Sequence, residues 1–191
     1  HLKCLEIKGF KSFADQTRIV LKPGLNIIVG PNGCGKSNLV DAVRWVLGET
    51  GIRGLRAQKS EDIIFNGSEK KKAQGMAWVE ITIDNQDNAL PVEFRELSIE
   101  RKAYRNAERE FFINKSSVLM KDIANILVGT GLGKNGCSII GQGELEQILS
   151  GQPIDRRLVL EEASGIIKYR QQRDEIVRRI AICSSDMVRI R

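Results

Sequence analysis

"GPNGCGKSN", residues 30–38, is the stretch on which the reading of the fold turns. It fits the pattern G-x-x-x-x-G-K-[ST] through Gly30, Gly35, Lys36 and Ser37. Glycines at such positions let backbone N–H groups curl around a β-phosphate, and the start of a following helix adds partial positive charge. Lys36 would reach the β- and γ-phosphates of a nucleotide, and Ser37 would ligate Mg²⁺. Pro31, Asn32, Gly33, Cys34 and Asn38 complete the expected phosphate-binding set, Cys34 through its backbone. The flanks agree with this reading. "LNIIVG" (25–30) is a continuous apolar run, as in a strand buried on both faces. "KSNLVDAVRWVLGE" places Leu39, Val40, Val43, Val46 and Leu47 at the spacing of an amphipathic helix, which Gly48 would end.

Working outward, "LKCLEIKGFKSF" alternates apolar and polar residues at Leu2, Cys4 and Ile7, and predicts a half-buried strand. "TRIVL" (17–21) predicts a short strand, with Pro23-Gly24 as the turn that closes its hairpin. "MAWVEITID" (76–84), "LSIERKAYR" (97–105) and "EFFIN" (110–114) read as an antiparallel meander. "MKDIANILVG" (120–129) reads as a helix with a glycine end, and "CSIIGQGELEQILSG" (137–151) as strand, turn and helix. Beyond Asp155 the chain is helix-compatible, and Tyr169, Arg173, Ile176, Ile180, Cys183, Met187 and Ile190 are spaced 4, 3, 4, 3, 4, 3. That is a heptad seam, with the alternative of a plain surface helix.

The bulk composition narrows the function classes. The 191 residues allow one core, or one core plus an appendage, and 41% hydrophobic with 28% charged residues is ordinary for a globular chain. No run of about 18 apolar residues occurs, so no membrane span is expected. Cys4, Cys34, Cys137 and Cys183 are scattered, which fits reduced thiols in a cytosolic protein better than a metal cluster or a disulfide framework. A single histidine removes most metal and His-based catalytic schemes. The first residue is that His1, so an initiator Met or a tag remnant is expected to be missing. The net charge of 30 − 24 = +6 weakly favours polyanionic partners.

A phosphate loop alone does not hydrolyse ATP; an acidic residue at a strand end must hold Mg²⁺. "LVLEE" (158–162) has too few apolar residues and lies in a helical region, and Asp84 ends an alternating strand. "NKSS" (114–117) lacks the Asp of a guanine-reading motif, and "LSGQP" (149–153) lacks the second glycine of a transporter-type signature. The missing acid and the interrupted heptads point to half of a split site.

"LEIKGFKSF", "GPNGCGKSNLVDAVRWVLGE", "LRAQKSEDIIFNGS", "GTGLGKNGCSIIGQGELEQIL" and "RRLVLEEASGIIKYR" together resemble the N-terminal head segment of structural maintenance of chromosomes (SMC) proteins of the bacterial type. The resemblance implies an α/β P-loop NTPase half-head of the ABC-ATPase type. In it a mixed sheet carries the phosphate loop beside an antiparallel meander, and a C-terminal helix begins a coiled coil. It places the head lobe at 1–165 and the start of the coiled-coil arm at 166–191. It further implies ATP and Mg²⁺ as cofactors and a C-terminal head lobe bearing the acidic strand end and signature helix. A second head would form a homodimeric ATP sandwich, with accessory kleisin-type subunits, no membrane partner, and a cytoplasmic, nucleoid-associated location.

Carried over by position, Gln142 would contact Mg²⁺ and the attacking water, and Arg56 would reach the phosphates. Asn32 would meet the γ-phosphate edge, and Lys11 and Ser12 would lie near the nucleotide. "RAQK" departs from an "RGGK"-like form, which leaves the local loop geometry open. Closed heads of the family present a basic surface to duplex DNA, for which Lys59, Lys70, Lys71, Lys72, Arg101, Arg105, Lys115 and Lys121 are candidates here. Such contacts are salt-dependent and independent of sequence. Three alternatives stay open at this point: the same half-head from a DNA-repair relative, a self-contained kinase-like P-loop enzyme, and a binding module whose loop is only structural.

Overall fold

The computed structural model describes residues 1–51, 54–57, 59–128, 130, 132, 138–141, 157, 161 and 166–190. The chain divides into two compact units, His1–Leu127 and Val128–Arg191. The first holds β1 (Leu2–Lys8), β2 (Thr17–Val20), α1 (Lys36–Val46), a 3-10 turn (Ser60–Ile63), β3 (Met76–Asp84), β4 (Glu96–Tyr104), β5 (Arg109–Ile113), β6 (Ser116–Ser117) and α2 (Met120–Leu127). In the second, α3 spans Ile166–Ile190.

The strands form one six-stranded sheet in the order β2-β1-β3-β4-β5-β6. Each adjacent pair is antiparallel. Strict alternation fixes the register. Ala77, Val79, Ile81 and Ile83 of β3 are buried while the residues between them are half-exposed. A slip by one residue would carry that set to the other face. Helix α1 packs on β3 and β4. Its Trp45 ring lies 5.3 Å from the ring of Phe10, and both side chains are fully buried.

Several expectations need correction. The hairpin of β1 and β2 closes through residues 9–16, not at Pro23-Gly24; Phe10 and Phe13 exchange backbone hydrogen bonds of 3.1 and 2.8 Å inside it. Gly9, at φ 63°, is required there, because a Cβ would collide with the Met76 carbonyl oxygen. Residues 25–30 form no strand, and Leu25 and Val29 are 89% and 82% exposed. A strand buried on both faces needs a sheet neighbour and covering layers, and none reaches this segment among the described residues. The sheet there is accordingly antiparallel rather than mixed, and no strand of it carries the phosphate loop. On α1 the buried stripe is Leu39, Asp41, Ala42, Trp45 and Val46, so Val40 and Val43 point away from the core centre. The strand–turn–helix reading of 137–151 lies largely outside the described residues.

The outward sheet face carries a charge network. Glu6, Glu80 and Glu100 are direct cross-strand neighbours on β1, β3 and β4. Like charges so placed repel, and cations compensate. Lys115 Nζ lies 2.7 Å from Glu80 Oε2 and 3.1 Å from Glu100 Oε2, and Lys102 Nζ lies 3.0 Å from Glu100 Oε1. Burial opposes ionisation of Glu100, but hydrogen bonds from Lys102, Trp78 and Lys115 outweigh it and hold the carboxyl below the ordinary glutamate range. A carboxyl depressed in the folded state adds stability above its unfolded pKa and loses it as pH falls through the folded value. Stability should therefore decline as pH is lowered from the ordinary value of 4.5. In thermal melts across that range Glu100→Gln should show a flatter acid limb than the wild type; parallel limbs would remove Glu100 from the account.

Helix α3 contains the residues at the 4, 3 spacing. Tyr169, Ile176, Ile180 and Met187 are all more than half exposed, and Arg173 and Cys183 are exposed with them. No described helix is long and apolar enough to cross a membrane.

Candidate functional site: the phosphate loop and its flanking cations

Helix α1 begins at Lys36 after Gly35, which sits at φ 95°, ψ 10° and gives the helix no side-chain cap. The first N–H groups of a helix have no intrahelical partner. An uncapped start therefore leaves them, with the positive end of the helix dipole, to an anionic ligand. Gly33 is also left-handed, at φ 80°, and a Cβ on it would meet nothing within 4 Å. Lys36 Nζ folds back over the loop and donates to the carbonyl oxygens of Gly30 (2.6 Å) and Pro31 (2.7 Å), with Cys34 Sγ at 3.9 Å. Ser37 is exposed on the first turn, where its hydroxyl is available to a cation. Pro31, Asn32, Gly33 and Cys34 are exposed along the same curl.

Two distant segments arrive at this helix start. The β1–β2 connection brings Ser12, whose Oγ accepts 2.8 Å from Asn38 Nδ2. It also brings Lys11, whose Nζ lies 2.5 Å from Asp41 Oδ2 and donates to the Leu55 carbonyl. The loop after α1 brings Arg56, whose Nη2 donates to the Ser37 carbonyl at 2.6 Å and lies 2.7 Å from Asp41 Oδ2. Lys11 and Arg56 both adopt left-handed backbone, at φ 47° and 49°. Thus Lys11, Ser12, Lys36, Ser37, Asn38 and Arg56, named from the loop pattern and the family resemblance, lie at one end of α1. Gln142 lies outside the described residues.

The donor set fits a nucleotide triphosphate: uncapped helix N–H groups, a glycine curl, one lysine in the loop and two flanking cations. Ser37 is the residue that would hold Mg²⁺. Asp41 was not anticipated. An acid four residues after Ser37, amid the apolar stripe Leu39, Ala42, Trp45 and Val46, was the available signal.

The expected DNA-facing cations fare unevenly. Arg101 must be withdrawn. It points into the core from β4, is only 2% exposed, and lies over the Trp45 ring at 4.5 Å and the Phe111 ring at 5.2 Å. Its Nη1 donates to the carbonyls of Trp45 (2.5 Å) and Glu49 (3.0 Å), while its Nε has no partner. Burial, then the neighbouring Arg109, push its pKa down to about 9 against the pull of Glu49. Lys115 is engaged by Glu80 and Glu100, and Lys71 by Asp15. Arg105 donates to the carbonyls of Gln74 and Phe65 and to Asn66 Oδ1. Lys59, Lys70, Lys72 and Lys121 are exposed.

Comparison with known proteins identifies the family. Residues 1–151 match the model of the RecF/RecN/SMC N terminal domain. The chain is 47% identical over 189 residues to the chromosome partition protein Smc of Clostridium kluyveri, covering 99% of this chain and 16% of that one. The chain thus spans only about a sixth of the length of such relatives. A structure from work on ATP-driven dimerization and DNA-stimulated activation of SMC ATPases superposes with a TM-score of 0.77 at 32% identity, over 86% of this chain and 99% of the other. The Smc head domain of Pyrococcus furiosus, with an extended coiled coil and bound to the C-terminal domain of ScpA, gives 0.81 at 30% identity, over 99% of this chain and 48% of the other. A family model matched over 1–151, together with a fold shared with these heads, places the chain in the RecF/RecN/SMC N-terminal domain family as the N-terminal part of an SMC-type head.

Proposed function

We propose that this chain is the ATP- and Mg²⁺-binding lobe of an SMC ATPase that acts in chromosome partition. The observation that carries the reading is the open, glycine-lined start of α1, with Lys36 in the loop and Lys11, Ser12 and Arg56 at its flank. The N–H groups of residues 33–37 would cradle the phosphates, Lys36 would neutralise their charge, and Ser37 would hold the metal. Arg56, half exposed and anchored on Ser37 and Asp41, is placed to counter charge on the phosphate oxygens. Gln142 would orient water. ATP with Mg²⁺ supplies the phosphoryl group for transfer to water, and positioning with charge stabilisation is the protein's share.

The remaining parts come from partners. No acidic Mg²⁺ ligand stands at a strand end beside the loop among the described residues, and the apolar segment before the loop is uncovered. A C-terminal head lobe would supply both the acid and the missing strands. Residues 1–165 then form the lobe and 166–191 begin the arm, whose exposed seam on α3 would pair with a returning helix. A second head would complete an ATP sandwich, a reading supported by the ATP-driven dimerization of related SMC ATPases, and a kleisin of the ScpA type would bind the head, as ScpA does in P. furiosus. Duplex DNA would be met through phosphates by Lys59, Lys71 and Lys121 with Lys70 and Lys72, in the cytoplasm at the nucleoid.

ATPase assays of this chain alone, mixed with a C-terminal lobe, and mixed as Lys36→Ala test the reading. Turnover should appear only in the mixture and fall at least about 100-fold in the variant, two lost charge-assisted bonds at ~1.5–3 kcal/mol each. Lys36-dependent turnover by the chain alone would sink the split-site account.

A further inference from the structure

Asp41 is buried to 3% exposure and has no part in the phosphate contacts just proposed, yet it holds two of the cations that do. Its Oδ2 lies 2.5 Å from Lys11 Nζ and 2.7 Å from Arg56 Nη2. It stands one helical turn below Ser37, whose carbonyl takes the same Arg56 nitrogen. The two cations reach it from segments far apart in the chain, the β1–β2 connection and the loop after α1. Each is held in a left-handed backbone conformation that a non-glycine residue adopts only when its surroundings impose it. Without a common acceptor, Lys11 and Arg56 would repel one another and withdraw toward water.

We propose that Asp41 is a positioning residue for nucleotide binding: a buried carboxylate that draws Lys11 and Arg56 onto the first turns of α1 and fixes them beside the phosphate loop. The inference rests on the nucleotide-binding reading above. One carboxylate against two cations leaves a net charge of +1, to which Lys36 adds another. The site thus keeps its positive potential for a polyphosphate while its arginine gives up orientational freedom before the ligand arrives, which is where preorganisation lowers the cost of binding.

The experiment is a double-mutant cycle on ATP affinity, read by fluorescent-nucleotide titration of this chain with its complementary lobe, with Lys36→Ala as control. Arg56→Ala should weaken binding about tenfold in the wild type, the worth of a charge-assisted hydrogen bond. In an Asp41→Asn background the same change should cost less than about twofold, because Arg56 is no longer held. Hydrogen exchange without nucleotide should show faster amides at 9–13 and 54–57 in Asp41→Asn while the centre of α1 keeps its protection. Equal Arg56 effects in both backgrounds, with Lys36-dependent binding intact, would overturn this proposal alone. Loss of Lys36 dependence in the wild type would overturn the nucleotide reading and this inference with it. Should Asp41→Asn not fold, Lys11→Gln keeps the idea open to refutation. Arg56→Ala must still cost about tenfold there, since Asp41 still holds the arginine once Lys11 is gone, and a loss of that dependence refutes the role of Asp41.

Discussion

Replacing Arg101 by alanine should lower the stability of the head lobe by about 3–5 kcal/mol in urea unfolding. Three losses combine. The carbonyls of Trp45 and Glu49, at and just past the end of α1, each lose the hydrogen bond from the guanidinium. The guanidinium leaves the faces of Trp45 and Phe111, and the core loses the volume between sheet and helix. Against these stands the relief of a buried charge whose Nε is unpaired. Arg101→Met separates the terms, since it restores volume and removes the charge but does not restore the guanidinium's two hydrogen bonds to the carbonyls. It should recover all but about 1–2 kcal/mol of the loss. An alanine variant within about 1 kcal/mol of the wild type would show that the fold does not depend on this side chain.

The second large effect concerns residues 25–29. Leu25, Ile27, Ile28 and Val29 are exposed immediately before the phosphate loop. Fully covering one such side chain is worth about 1.5–3 kcal/mol. Contiguous apolar surface of this kind drives association, so the isolated chain should self-associate at high concentration, and a complementary lobe should disperse it. Ile27→Asp with Val29→Asp should make the isolated chain more monomeric in sedimentation. The same pair should weaken capture of the C-terminal lobe by at least about 100-fold, because two carboxylates would have to be buried unpaired. Unchanged capture would mean that the second lobe docks elsewhere.

These results bear on how much could be read before the structure. Strands β3, β4 and β5 were legible to within a residue because β3 alternates strictly, β4 does so over much of its length, and turn residues separate the runs. The loop-to-helix junction at Lys36 was legible for a different reason, since the glycine pattern and the helical stripe meet there. Residues 25–30 misled because an apolar run reports what a segment needs, not whether its partners stand beside it. Arg101 misled because its charge was weighed above the alternation, in which Ile99 and Ala103, two residues to either side, already placed position 101 inward. Asp41 was overlooked because a polar residue on an amphipathic helix is ordinarily assigned to water. Its burial follows only once Lys11 and Arg56 arrive from elsewhere in the chain, and no local pattern records that meeting.

The strand order has a consequence for timing. Helix α1 is built early in the chain but rests on β3 and β4, the second of which ends at Tyr104. From Ser37 that is 104 − 37 = 67 residues of further synthesis. At ~5–20 residues per second the wait is about 3–13 s. Through that interval the apolar side of α1 lacks the sheet that covers it, and exposed apolar surface of this kind is prone to association. Helix α1 is thus synthesised among the first elements of the lobe, yet is covered only once four of the six strands exist.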